Sequence, residues 1–208
     1  MNNIPEFPNQ TEITSEHVEI IKKALVDQDI RSADYSVYYL TGWFYHRPAR
    51  ISRIGERLVL DVEGKQGGHI FLGPLGTGPI KPAVEKLLHH AEKDFGEERV
   101  LRFLPHRLAE AISAEITPIR SEEHRDYFDY LYLREELADL TGGKFAKRRN
   151  QLNKFQRENN AEVIILKEED NAQILKCLDR WYENYGDEDP FLEMERESVR
   201  RMLPNLWK

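Results

Sequence analysis

The stretch RISRIGERLVLDVEGKQGGHIFL, residues 50–72, decides the fold because it contains three short runs of strand-forming residues separated by turn residues. The runs are 50–54, 58–62 and 69–72, with Gly55-Glu56 in the first turn and residues 64–67 in the second. Short apolar runs bounded by glycine are typical of strands joined in hairpins. We therefore predict an antiparallel meander of three strands.

Helical patterns flank the meander on both sides. Thr14-Ser15-Glu16 has the residue types of a helix start, and apolar residues recur on one face from Val18 to about Gln28. After the meander, a second helix is predicted from Lys81 to Phe95, and Gly96 is expected to end it.

The rest of the chain alternates between short strand and helix patterns. Strands are predicted at 99–104, 116–119 and 161–166, and 126–133 is predicted to be another strand or an ordered extended segment. Helices are predicted at 105–113, 168–182 and about 192–203. Residues 1–14 contain two prolines and little periodicity, so we expect a loose arm. The predicted fold class is α+β.

A glycine-rich loop joins the third strand to the helix that follows it. Gly73, Gly76 and Gly78 have the G-x-x-G-x-G spacing, and such a loop before a helix N-terminus can bind phosphate. Pro74 and Pro79, however, remove two backbone donors that a phosphate site would use. The loop is therefore either a weak candidate for a cofactor site or a structural turn.

The sequence GGKFAKRRNQLNKFQR, residues 142–157, forms a basic island in an acidic chain. It carries six basic residues and no acidic one, whereas the whole chain has a net charge of −7. Read as one helix, it places Arg148 in the same arc as Phe145, Leu152 and Phe155, so we expect this arc to face inward.

A buried arginine needs an anionic or carbonyl partner. Arg148 either pairs with an internal carboxylate, such as Asp126 or Asp129, or helps to hold an anionic ligand. Lys147, Lys154 and Arg157 are expected to face water, where they form a solvated surface or contact a phosphate or membrane surface.

Composition excludes several classes of protein. The sequence contains no run of about 18 apolar residues, so no transmembrane helix is predicted. The N-terminus lacks the pattern of a signal peptide. Cys177 is the single cysteine, so no intrachain disulfide can form, and its neighbours predict a core position. These features favour the cytoplasm. The acidic balance argues against nonspecific coating of nucleic acid.

Motifs of known catalytic sites are missing from the sequence. There is no His-Glu-x-x-His, no paired cysteine, no Walker loop and no Gly-x-Ser-x-Gly. The seven histidines are scattered, so no metal site is predicted. The residues alone therefore indicate no reaction class.

A longer segment, residues 126–159, resembles a family signature. It reads DYFDYLYL (126–133), EELADL (135–140), GGK (142–144) and KRRNQLNKF (147–155). This resembles the bacterial family related to the C-terminal domain of phosphatidylglycerol lysyltransferase, whose free-standing members are largely uncharacterised. The meander and residues 72–76 agree with the resemblance more weakly.

The resemblance implies two tandem acetyltransferase-like (GNAT) domains, each with a mixed, mostly antiparallel sheet flanked by helices. It places a first, complete GNAT-like domain at 1–140, a basic linking helix at 141–160 and the start of a truncated second domain at 161–208. It also implies a distant similarity to the Fem aminoacyl-tRNA-dependent transferases.

The function that the resemblance implies is acyl or aminoacyl transfer from a coenzyme A thioester or an aminoacyl-tRNA to an unknown acceptor. Tyr130 and Tyr132 are weak candidates for a proton carrier. The candidates for binding the anionic donor are Lys144, Lys147, Arg148, Arg149, Asn150, Asn153 and Lys154, and the coenzyme A candidates are Gly73, Gly76 and Gly78. Two alternatives stay open: a noncatalytic module that binds tRNA, an anionic membrane surface or a protein through the basic helix, and a helix that only joins two subdomains.

Overall fold

The computed structural model describes residues 3–43, 48–63, 68–95, 100–184 and 190–205. Its centre is a four-stranded antiparallel sheet with strand order β1-β2-β3-β4. The strands are β1 (Thr11–Glu12), β2 (Arg50–Ile54), β3 (Arg57–Glu63) and β4 (His69–Leu75). The predicted meander is confirmed as β2–β4, although its second turn, residues 64–67, lies outside the described residues.

Eight helices of the described part of the chain surround or follow the sheet. They are α1 (Val18–Asp27), α2 (Val37–Gly42), α3 (Ile80–Phe95), α4 (His106–Glu115), α5 (Arg134–Asp139), α6 (Ala146–Glu158), α7 (Asn171–Glu183) and α8 (Pro190–Met202). The predicted helices are confirmed, with shifts of a few residues at their ends. The expected helix stop at Gly96 lies outside the described residues. With its antiparallel sheet and helices, the fold is α+β.

The core fills both sides of strand β3. Leu58 and Leu60 pack in a large apolar cluster with residues of α1, α2 and α4, while Val59 packs with Phe7 and Leu87 on the other side. Because both faces of β3 are covered, its sequence is a nearly continuous apolar run rather than an alternating one.

The N-terminal residues are part of this core, so the prediction of a loose arm is wrong. Ile4, Phe7 and Ile13 are buried. The Phe7 N–H donates to the Arg53 carbonyl at 2.8 Å, and the Arg53 N–H donates to the Pro5 carbonyl at 2.9 Å. The sparse apolar residues of the arm escaped the sequence analysis because each fills a gap individually, without helical or strand periodicity.

Three predicted strands, and the strand alternative for 126–133, are not formed in the described part of the chain. The segments 100–104, 116–119, 126–133 and 161–166 pair with no strand of the described chain, and residue 99 lies outside it. Residues 125–127 form a single 3-10 turn, the backbone is extended at Phe128 and Leu133, and residues 129–132 belong to no regular element. A strand sequence becomes a strand only when a neighbouring backbone accepts its hydrogen bonds, and that neighbour cannot be read from local sequence.

The last two helices are held together by charge and pack back on the first part of the chain. Arg196 and Arg200 both donate to Asp179 Oδ1 across α7 and α8, at 3.0 and 2.6 Å, and the Arg196 hydrogen bond lowers the pKa of Asp179. Ser198 on α8 donates to the Trp43 carbonyl beside α2 at 3.4 Å. Among the described residues, no helix is long and apolar enough to cross a membrane.

Candidate functional site

The basic island forms one continuous rod, as predicted. A 3-10 turn, Gly143–Phe145, leads directly into α6. Phe145 is buried, but Leu152 is 45% and Phe155 is 51% exposed, and every residue from 150 to 160 is exposed. The expectation that the apolar arc faces inward is therefore wrong beyond Phe145, because α6 lies largely open to solvent in the described chain.

Two of the predicted anion-binding residues, Arg149 and Lys144, already bind groups of the protein itself. The Arg149 guanidinium donates to the carbonyls of Leu140 and Gly142, the latter at 2.7 Å, so it satisfies the C-terminal end of α5. Lys144 lies 2.6 Å from a Glu136 carboxylate oxygen and 5.0 Å from the centre of the Phe145 ring. These two side chains fix the start of α6 against α5.

Arg148 contacts a tyrosine rather than a carboxylate. Its guanidinium lies 5.7 Å from the centre of the Tyr132 ring, a cation–π distance. The predicted pairing with Asp126 or Asp129 is wrong: Asp129 accepts a hydrogen bond from the Ala33 N–H at 3.2 Å, and Asp126 lies 3.9 Å from His124. Arg148 itself is exposed, so its charge is available to a ligand.

The two candidate tyrosines lie beside this arginine. The rings of Tyr130 and Tyr132 are nearly parallel, with centres 6.4 Å apart and an angle of 14° between their planes. Tyr130 projects almost completely into solvent. The structure therefore brings Tyr130 and Tyr132 together with Arg148 at one end of the α6 surface.

The remaining candidates on α6 are exposed side chains. Within the described chain, Lys147, Asn150 and Asn153 form no side-chain hydrogen bond or ion pair, and Lys154 lies 4.0 Å from Glu158 on the next turn. Exposed cations attract an incoming anion. Together with Arg148, which lies on a different side of the helix, they are the exposed polar side chains of α6 that we call the α6 cationic face, defined as Lys147, Arg148, Asn150, Asn153 and Lys154.

The glycine-rich loop is held by protein groups. Arg57 donates to the carbonyls of Gly78 at 2.7 Å, Pro79 at 3.3 Å and Pro74 at 3.1 Å. The Gly76 N–H, a donor that a phosphate would need, donates instead to Gln28 Oε1 at 2.7 Å.

Glycine is required in this loop for backbone reasons. Gly73, Gly76 and Gly78 have φ values of 121°, 95° and 94°, and a Cβ on Gly73 would lie 2.9 Å from the Leu58 carbonyl oxygen. This geometry supports the structural-turn alternative for the three glycines. The contacts that hold the loop come from Arg57 and Gln28 rather than from α6.

A polar cluster that the sequence analysis missed lies at one end of the sheet, where β2 and β4 begin and β3 ends. Asp61 is 5% exposed, and it accepts hydrogen bonds from Gln10 at 2.9 Å and from His69 Nδ1 at 2.8 Å. Burial raises the pKa of the Asp61 carboxyl, and the two hydrogen bonds oppose that shift. The cluster borders an open cavity of about 440 Å³. Its one sequence signal was an aspartate inside an otherwise apolar strand.

Comparison with solved structures gives a protein of the same fold. The match is a conserved protein of unknown function from Bacteroides thetaiotaomicron VPI-5482, with a TM-score of 0.77 and 24% sequence identity. The match covers 95% of the present chain and 67% of the Bacteroides chain. No curated protein matches the sequence.

Family membership follows from a match that spans most of the chain. Residues 28–204 match the model of the family described as phosphatidylglycerol lysyltransferase, C-terminal. The matched region includes strands β2–β4, the α6 cationic face and both final helices. The chain therefore belongs to the family of the C-terminal domain of phosphatidylglycerol lysyltransferase.

Proposed function

We propose that the protein is an acyl- or aminoacyltransferase of tandem GNAT type, and that the α6 cationic face binds its anionic donor. The donor is an aminoacyl-tRNA or a coenzyme A thioester. The proposal includes a first GNAT-like domain at 1–140, a linking helix at 141–160 and the beginning of a second GNAT-like domain at 161–208. It also includes a cytoplasmic location, which the low cysteine content favours.

The observation that carries this proposal is the solvent exposure of the α6 cationic face. Lys147, Arg148 and Lys154 concentrate positive charge on one helix of a protein whose net charge is −7. Because the rest of the molecule repels anions, a phosphate-rich donor is guided to this helix. The family name supports the transferase assignment, since it describes a lysyltransferase domain.

The chemistry of such a transfer relies on positioning. An amine or hydroxyl acceptor attacks an activated carbonyl, and the protein supplies orientation and hydrogen-bond donors rather than a covalent nucleophile. Asn150 and Asn153 carry amide groups on the same exposed helix as the cations. Tyr130 and Tyr132 supply phenol groups beside Arg148. In this proposal the cations bind the donor's phosphates, and the tyrosines transfer the proton.

The test is a charge reversal on the α6 cationic face, K147E/K154E. Binding of aminoacyl-tRNA and of acetyl-coenzyme A is measured by fluorescence anisotropy at two salt concentrations. We expect affinity for the true donor to fall at least ~10-fold and its salt dependence to become shallower, because two phosphate contacts are lost. Thermal unfolding of the unliganded variant should be unchanged, since both side chains are exposed.

The matched control is K81E/K176E, which makes the same charge change on exposed lysines of α3 and α7. If this control weakens donor binding as much as K147E/K154E does, net charge rather than the α6 cationic face is responsible. Absence of binding or transfer with both donors by the full-length protein contradicts the transferase proposal.

A noncatalytic binding module is the second candidate, and the openness of α6 favours it. A cationic helix that is exposed along its length fits a large polyanion, such as tRNA or an anionic membrane surface, better than a small enclosed substrate. Equal affinity for charged and uncharged tRNA, with no transfer of a labelled aminoacyl group, supports this candidate over the transferase.

A further inference from the structure

The cavity beside Asp61 shares no residue with the α6 cationic face. Asp61, Glu63 and His69 all line it, and its volume is about 440 Å³. Pockets that bind small molecules have volumes of roughly 300–1,000 Å³. The strand register places the three side chains on one face of the sheet, because Glu63 lies opposite His69 and Asp61 is two residues before Glu63. The cavity is therefore large enough for a ligand and has several polar groups on one wall.

Two contacts fix the orientation of the His69 imidazole. Its Nδ1 lies 2.8 Å from Asp61 Oδ2, and its ring is nearly parallel to that of buried Phe71, with the ring centres 6.1 Å apart. Because an ionised carboxylate only accepts hydrogen bonds, Nδ1 carries the proton of the neutral imidazole and Nε2 carries a lone pair. Gln10 donates to the same carboxylate at 2.9 Å and holds Asp61 in place. His69 therefore brings a hydrogen-bond acceptor to the cavity wall in a fixed orientation.

The charges around the cavity favour a cation over an anion. Among the described residues that line it, Asp61 and Glu63 are acidic and Arg50 is basic, so acidic groups outnumber basic ones when His69 is neutral. Arg50 lies opposite Asp61 on one side and opposite Glu12 on the other, which places a further carboxylate on the same face of the sheet. An anionic ligand would therefore be repelled by more side chains than would attract it.

We propose that this cavity binds a small molecule through a primary amine. The protonated amine donates to His69 Nε2 and to the Glu63 carboxylate, and the Arg50 guanidinium donates to an acceptor atom elsewhere on the ligand. An ammonium has three donors and no acceptor, so it matches a wall with a fixed imidazole acceptor and a carboxylate. This site is independent of the proposed transferase activity and of the donor that the α6 cationic face binds.

The test uses three probes of equal chain length, n-butylamine, n-butanol and butyrate. Each is titrated into the protein at a pH at which imidazole is neutral and an alkylamine is protonated. The signals of the His69 ring are followed by NMR and are identified by their loss in the variant H69Q. We expect n-butylamine to give a saturable shift and to bind at least ~10-fold more tightly than n-butanol, because charge-assisted hydrogen bonds are the stronger ones. Butyrate should give no shift.

Two variants check the roles of the carboxylates. E63Q should weaken n-butylamine binding at least ~3-fold, whereas the control E56Q, which makes the same charge change in the turn at the opposite end of β3, should not. In D61N the new amide donates to Nδ1, so the imidazole proton moves to Nε2 and the acceptor is lost. We expect the ¹⁵N spectrum of His69 to show this change of tautomer, and amine affinity to fall at least ~10-fold. Thermal unfolding confirms that each variant is folded.

The proposal is wrong if n-butylamine gives no saturable shift, or if butyrate or n-butanol binds as tightly as the amine. It is also wrong if E56Q weakens amine binding as much as E63Q does, because the attraction would then come from the net charge of the protein. Should D61N fail to fold, the comparison of E63Q with E56Q decides alone, since Glu63 is only half-buried and its replacement by glutamine preserves the shape of the side chain.

Discussion

At the scale of single residues, Arg57 determines the shape of the glycine-rich loop. Its side chain is nearly buried, and it donates to the carbonyls of Pro74, Gly78 and Pro79 at once. Burial lowers the pKa of the Arg57 guanidinium, but a guanidinium remains charged in proteins and keeps all of its donors. One planar group thus satisfies three carbonyls that would otherwise be desolvated without partners.

Replacing Arg57 by lysine keeps the charge and removes this geometry. We expect R57K to lower the free energy of unfolding by about 1–3 kcal/mol, because an ammonium cannot reach all three carbonyls. Urea denaturation measures the change. The control R31K replaces an exposed arginine, 77% of whose side chain is accessible, and should change stability by less than ~0.5 kcal/mol. Equal losses in the two variants would show that the loop carbonyls do not depend on Arg57.

Sequence reading was weakest for single residues whose environment is set by distant parts of the chain. Cys177 was predicted to lie in the core, yet it is exposed, and Tyr182 on the same helix is buried instead. Of the two alternatives for Arg148, a carboxylate partner or an anionic ligand, the first is wrong, because its guanidinium contacts Tyr132. Helical periodicity identifies an apolar face, but it does not say how much of that face another element covers.

At the scale of elements, α2 and α8 pack closely because α2 ends in a glycine. A Cβ on Gly42 would overlap the Met202 Cγ and lie 2.6 Å from its Sδ. Gly42 has an ordinary helical backbone, so the close approach of the helices, and not the chain conformation, requires glycine here.

The G42A variant tests whether the close approach of α8, rather than the backbone conformation, requires glycine at this position. Alanine favours the helix by up to ~1 kcal/mol, but the overlap with Met202 costs about 1–3 kcal/mol, so we expect a net loss of stability. In the double variant G42A/M202A the loss should be smaller than the sum of the two single losses by at least ~1 kcal/mol. Additive losses, measured by urea denaturation, would contradict close packing at this point.

Elements were predictable where their signals were local. Strands β2–β4 follow from glycine turns and apolar runs within 26 residues, and α1 and α3 follow from their periodicity. The segments 126–133 and 161–166 carry equally strong strand composition, but their partners are not found in the described chain. Helices satisfy their own backbones, so helix predictions succeeded where strand predictions failed.

At the scale of the whole molecule, stability is distributed unevenly. The buried residues concentrate around the sheet, α1–α4 and the tip of α8, whereas almost every residue from 117 to 169 is exposed. Regions with few buried contacts open at low free-energy cost. The α6 cationic face therefore lies in the part of the described chain that is least supported by packing.

Limited proteolysis of the 208-residue chain should reveal this division. Trypsin is expected to cut first between Arg120 and Lys167, where its target residues are exposed. The two resulting pieces should stay together in gel filtration, because α8 packs against α2 across the cut. In the variant M202E that packing is disrupted and the pieces should separate. First cleavage within β2–β4 would contradict the proposed division.

The hydrogen bond between Ser198 and the Trp43 carbonyl joins residues 155 positions apart in the chain. During synthesis, α2 leaves the ribosome long before α8 exists, so the sheet and its first helices must fold while the α8-binding side of α2 is still bare. Closing so large a loop is entropically costly and comes late. We therefore expect a chaperone to bind the newly made N-terminal part of the chain before α8 has been synthesised.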